Sequence, residues 1–162
     1  ALAVVALDQA RNCTGPIWLH GRLLRIPVAM RMGRLEEARA DLEQTWCQYR
    51  EREASLFPEA FAMLGRTEQA AAILRSNECN WRDGQLATAA PSFGGHYQLG
   101  DYDQAFLWLN RAIENREWEI LPFLRSTLFY PNIRDDLRFD CVLRRVAEIE
   151  AMGSPTRSVA AR

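Results

Sequence analysis

The stretch LGDYDQAFLWLNRA, residues 99–112, reads as a turn that runs straight into an amphipathic helix. Two weaker copies lie upstream, MGRLEEARADLEQT at 32–45 and LGRTEQAAAILRSN at 64–77. All three share one register. Gly33, Gly65 and Gly100 stand 32 and 35 residues apart (65 − 33 and 100 − 65). Ala38, Ala70 and Ala105 follow five residues after them, and Leu42, Leu74 and Leu109 four residues later again. A period near this length marks stacked helix–turn–helix units, none of which buries its apolar face alone. Each residue type has a physical reason. Glycine ends a helix because it accepts the left-handed conformation of a helix stop. Asp101 can cap the next helix, with Gln104 three residues on as in a capping box. The small alanine lets two helices approach, and the leucine one turn later fills the space beyond.

The bulk properties exclude several classes. A chain of 162 residues suits one domain with a real core, and 48% hydrophobic with 25% charged residues is a globular balance rather than a disordered one. The net charge of −1 lacks the basic excess of a nucleic-acid binder. No apolar run approaches the roughly 18–20 residues that cross a bilayer. The chain starts without methionine inside an apolar run, ALAVVAL, and carries no signal peptide, so it is expected to be cut from a longer protein. All 20 basic residues are arginine, which reads as the coding bias of a GC-rich genome rather than a demand of the fold.

The repeat resembles the tetratricopeptide repeat over most of residues 15–150. The half running from glycine through alanine to leucine matches best in Gly100–Ala112. The first-helix half departs from the family pattern: Ala89, Ser92, Phe93 and His96 occupy its aromatic, leucine, glycine and tyrosine slots. Arg50, Arg82 and Glu117 stand where a closing proline is common. A second resemblance covers Trp118–Val146, which looks like the segment after the last repeat in bacterial multidomain regulators of adenylate-cyclase or winged-helix type. The resemblance implies an all-α fold, a right-handed α/α superhelix of about three hairpins with a C-terminal helical cap. It places the repeat domain at 1–150, its first repeat truncated, with a flexible tail at 153–162.

The coarse pattern predicts helices near 2–11, 17–32, 35–50, 53–64, 67–76, 84–99, 101–116, 119–127 and 136–152. Chemistry-bearing residues have structural explanations. Cys47 and Cys79, each 14 residues after a repeat glycine, read as small apolar residues in helix contacts, and no cysteine–histidine spacing suggests zinc. Gly94–Gly95 reads as a close helix crossing and His96 as a packed histidine. Asp135–Asp136 reads as a helix cap rather than a carboxylate pair. No glycine-rich phosphate loop, nucleophile elbow or metalloprotease motif is present, so no enzyme activity, metal or cofactor is expected.

Function is therefore expected from the surface. In such a solenoid the first helices line a concave face that takes an extended peptide or a partner helix. The register assigns to that groove His20, Leu23, Met30, Arg31, Arg52, Glu59, Tyr97 and Gln98, with Ser55, Met63, Ala87, Ala90 and Gly94 beside them. The expected partner carries an apolar stretch for Met30 and Tyr97 and an acidic group for Arg31 or Arg52. The carboxylate-gripping set of lysines and asparagines found in some family members is not reproduced. The leading expectation is a protein–protein interaction or regulatory scaffold domain of a larger bacterial signalling or transcription-regulatory protein, cytoplasmic and without nucleic-acid or membrane contact by this domain. A small-molecule sensor and a dimerisation module are the alternatives, and the apolar N-terminal edge is expected to self-associate.

Overall fold

The computed structural model describes residues 16–86, 88–124 and 129–153; the helix expected at 2–11, Ala87 and the tail from 154 lie outside the described residues. The chain runs through α1 (Pro16–Arg31), α2 (Leu35–Glu53), a 3₁₀ turn (Ala54–Leu56), α3 (Pro58–Met63), α4 (Thr67–Arg82), α5 (Ala90–Gln98) and α6 (Tyr102–Glu114). A 3₁₀ turn (Trp118–Ile120) leads into α7 (Leu121–Leu124), and another (Ile133–Asp135) precedes α8 (Leu137–Gly153). The described residues contain no strand, so the fold is all-α.

One device closes five of the helices. Gly33, Gly65, Gly84 and Gly100 adopt φ of 72°, 76°, 68° and 79°, and Arg116 takes the same role at 60°. The next residue's N–H then reaches back five residues: Arg34 to the Ala29 carbonyl, Arg66 to Phe61, Gln85 to Asn80, Asp101 to His96 and Glu117 to Ala112, at 2.7–3.0 Å. This satisfies carbonyls that the end of a helix would otherwise leave open. At the third repeat the Asp101 carboxylate accepts from Gln104 N–H at 3.3 Å. The backbone N–H of Asp101 already bonds His96, so the reciprocal arm of a capping box has no donor left.

Two helices differ from the sequence pattern. The segment expected as one helix near 53–64 is broken, because Pro58 has no N–H and a fixed φ and therefore sits in the first turn of a new helix. Gly84 was expected to open a helix and instead ends α4. The next helix starts only at Ala90, where Glu117 from the connection after α6 accepts from the N–H groups of Ala89 (2.7 Å) and Ala90 (2.9 Å). That carboxylate serves as a remote N-cap for a short helix that has no capping side chain of its own.

The repeat alanines and leucines form the buried stripe: Ala38, Ala70 and Ala105 are fully enclosed, and Leu42, Leu74 and Leu109 nearly so. Thr45, Asn77 and Ala112, twelve residues after each glycine, complete it and are also buried. Offsets of 5, 9 and 12 share one helical face, whereas offset 14 points away from it. Cys47 and Cys79 are accordingly exposed free thiols, a correction to their expected place in helix contacts.

Helix α1 packs on α2, α3 on α4 and α5 on α6, while α1 also touches α3 and α3 lies closely against α5. Two apolar cores result. The first gathers Leu19, Ile26, Leu42, Phe57 and Phe61, with Trp46 edge-on to both phenylalanines at 5.0–5.1 Å. The second gathers Phe93, Phe106, Trp108, Leu109, Ile113, Tyr130 and Ile133 with Phe139, Val142 and Val146 of α8. Arg138 fastens α8 to α6 by bonding Asp136 (2.7 Å) and Asp103 (2.6 Å) across the Phe106 ring. Between the cores runs a seam of small and polar residues. A Cβ on Gly95 would stand 2.8 Å from Pro58 Cβ, and one on Gly94 would overlap the Glu59 carboxylate. The glycine pair is thus what allows α3 and α5 to cross.

Candidate interaction groove

The expected groove residues separate into three groups. Leu23 and Met30 of α1 are partly buried and pack against the first core. Arg31 and Arg52 are both exposed, but Arg52 is not on a first helix. Helix α2 runs on to Glu53, so Arg52 lies in its last turn, just as Arg31 lies in the last turn of α1. In an antiparallel hairpin those are opposite ends, about 25 Å apart at 1.5 Å per residue. One acidic group cannot serve both. The side chain of His20 lies outside the described residues.

Glu59, Tyr97 and Gln98 form the third group, and here the structure brings expected residues together. Residues Phe129–Asn132 cross α5 and cover them. Tyr130 packs on Phe93 at 4.8 Å and on Tyr97 at 5.1 Å, and both tyrosines are buried. The Tyr97 hydroxyl accepts from Asn132 N–H at 3.2 Å, and the Gln98 amide donates to the Phe129 carbonyl at 3.4 Å. Tyr97, expected to line the groove, is therefore not an open anchor and lies against Tyr130. Pro131 breaks a helix by its own chemistry, but nothing local told that the aromatic pair before it would fold back onto α5.

Beneath Tyr130 lies the carboxyl of Glu59. The Tyr130 hydroxyl and the Gln98 side chain hydrogen-bond it, while its Oε1 is shielded from solvent and has no hydrogen-bond partner. Burial pushes the Glu59 carboxyl above the ordinary carboxylate value, against the pull of those two hydrogen bonds. Burial and the neighbouring Glu59 in turn raise the Tyr130 hydroxyl well above its ordinary value. A little further along α5, desolvation lowers His96 although Asp101 Oδ2 stands 3.5 Å from its Nδ1.

A second concavity of about 490 Å³ lies apart, between Leu121, Arg134 and the α8 residues Phe139, Leu143, Val146 and Glu150. A polar one sits between α1 and α2, where buried Arg25 meets Asp41 at 3.0 Å and Glu37 at 3.4 Å. Among the described residues no group of histidine, cysteine and carboxylate side chains is placed to hold a metal ion. None of the described helices is long and apolar enough to cross a membrane. Comparison with protein-family models, with curated proteins and with solved structures returns no match.

Proposed function

We propose that the chain is a tetratricopeptide-like helical-repeat domain that serves as a protein–protein interaction or regulatory scaffold, part of a larger bacterial signalling or transcription-regulatory protein. The observation that carries this reading is the side-by-side row of α1, α3 and α5, each the first helix of a hairpin. A row of this kind, repeated by a right-handed superhelix, offers a continuous face to an extended segment. Specificity then lies in the side chains on that face and not in the repeat signature. The partner engages the α1 face that carries Leu23, Met30 and the exposed Arg31 at spacings of seven and eight residues, through an apolar stretch and an acidic group.

The test measures affinity of the captured partner for the parent protein carrying Leu23→Ala or Arg31→Ala, with Arg75→Ala on the exposed side of α4 as control. A roughly tenfold loss at Leu23 or Arg31, about 1–2 kcal/mol, is expected for a hot spot. Binding that survives both changes and drops with Arg75→Ala places the interaction on the other face.

A further inference from the structure

Three features of the Phe129–Asn132 crossing are unusual for a permanent part of a core. It has no secondary structure of its own at Phe129 and Tyr130, and its two polar attachments to α5 are single bonds of 3.2 and 3.4 Å. It covers a carboxyl group whose Oε1 is buried and unpartnered, an arrangement that disfavours the ionised form. Among the described residues, the groups that act on Glu59 are the Tyr130 hydroxyl and the Gln98 amide, neither of them a cation. On the elements packed against α3, Arg25 of α1 pairs with Asp41 and Glu37, Glu78 of α4 with Arg111, and His96 of α5 with Asp101.

We propose that Phe129–Asn132 is a strap, an internal occupant of the face that α3 and α5 would otherwise present, and that its seating is linked to a proton on Glu59. Gly94 leaves the space in which the carboxyl sits, and Tyr130 is the lid over it. With the strap seated, Oε1 of the Glu59 carboxyl is shielded from water, and the group holds its proton to higher pH than an exposed carboxyl would. With the strap lifted, water solvates the carboxylate. The closed form therefore binds the proton more tightly, so closure is favoured at acid pH and weakens as pH rises above the ordinary carboxylate value. Lifting the strap uncovers Phe93, Tyr97 and Gln98, an aromatic face next to an ionised carboxylate. The inference rests on the groove reading above only for what that face then binds.

The experiment follows hydrogen exchange of the Asn132 amide in the full chain from about pH 4.5 to about pH 8, normalised to the intrinsic rate at each pH. Its protection is expected to fall with pH, by at most about tenfold per unit for one proton, while the Ala105 amide inside α6 stays constant. Glu59→Gln, isosteric and uncharged, is expected to flatten the profile. Tyr130→Phe, which keeps the ring and loses the hydroxyl, is expected to lower protection at every pH and keep the slope. A flat wild-type profile overturns the proposal, as does an unchanged slope in Glu59→Gln. If that variant fails to fold, a flat Tyr130→Phe profile overturns it and a retained slope supports it. None of these outcomes depends on a partner, so a strap with the expected slope and a groove that binds nothing would sink the proposed function alone.

Discussion

Arg116 is the one described residue other than glycine with positive φ, and it stands at a helix stop where the other four stops use glycine. A side chain in the left-handed region clashes with its own backbone, at about 1–2 kcal/mol per residue. Glycine removes that strain but gains freedom in the unfolded chain, so only part of it is recovered. Arg116→Gly is expected to stabilise the protein by about 0.5–1 kcal/mol. Urea unfolding checks it through a higher midpoint at unchanged slope, and a lowered midpoint would mean that Arg116 is held by more than its turn. Asn77 shows the opposite case, a buried residue whose polarity is used. Its Nδ2 donates to the Ser55 carbonyl (3.0 Å) and to Ser92 Oγ (2.9 Å), tying α4 to the turn before α3 and to α5. Its Oδ1 has no partner, which makes it a specific and not a strong fastening.

Helices α4 and α6 belong to neighbouring hairpins and are joined by Arg111. Its guanidinium bonds Glu78 at 2.8 Å and lies 4.4 Å from the Trp108 ring and 5.4 Å from Trp81. The hydrogen bond from Arg111 holds the Glu78 carboxyl below its ordinary value of 4.5. A planar fork that both stacks and bonds is not replaced by an ammonium. Arg111→Lys is expected to cost about 1 kcal/mol at neutral pH. Because the Glu78 value is depressed on folding, that stability is present above about pH 4.5 and fades as pH falls through the lowered value. Denaturation of the two proteins at about pH 7 and about pH 3.5 should show the gap narrowing in acid. An equal gap at both would assign the loss to the tryptophan stack.

Across the whole molecule the two cores meet only at a seam, and repeat arrays are stable as the sum of units and the interfaces between them. Gly95 is where that interface meets its least yielding neighbour, since a Cβ there would stand 2.8 Å from Pro58 Cβ. A valine there drives methyl groups into the rigid Pro58 ring and the Leu74 side chain, a loss on the order of 1–3 kcal/mol. Gly95→Val is therefore expected to uncouple the halves. Thermal unfolding followed at Trp46 in the first core and at Trp108 in the second should give one transition for the natural chain and two midpoints for the variant. Coincident midpoints in Gly95→Val would show that the cores fold as one unit whatever the seam does.

The sequence alone determined the features that act over one or two helical turns. The glycines at 33, 65 and 100 mark their stops because only backbone freedom decides where a left-handed residue can stand. The alanine and leucine at offsets 5 and 9 are buried because 3.6 residues per turn puts them on one face. The same arithmetic, carried to offset 12, would have found Thr45 and Asn77 and excluded Cys47 and Cys79. Pro58 also carried its own message, a new helix rather than a continued one. What only the tertiary structure decided depends on residues far apart in the chain. Glu117 caps a helix 27 residues upstream, and Arg138 reaches Asp103 across 35. The groove was the least legible part. Its expected members Glu59, Tyr97 and Gln98 do converge, but under Tyr130, from a segment that follows them by more than thirty residues. Periodicity reports which way a side chain points from its own helix; it is silent on what comes back to cover it. Whether a face is a binding surface or an interior is set by that return of the chain.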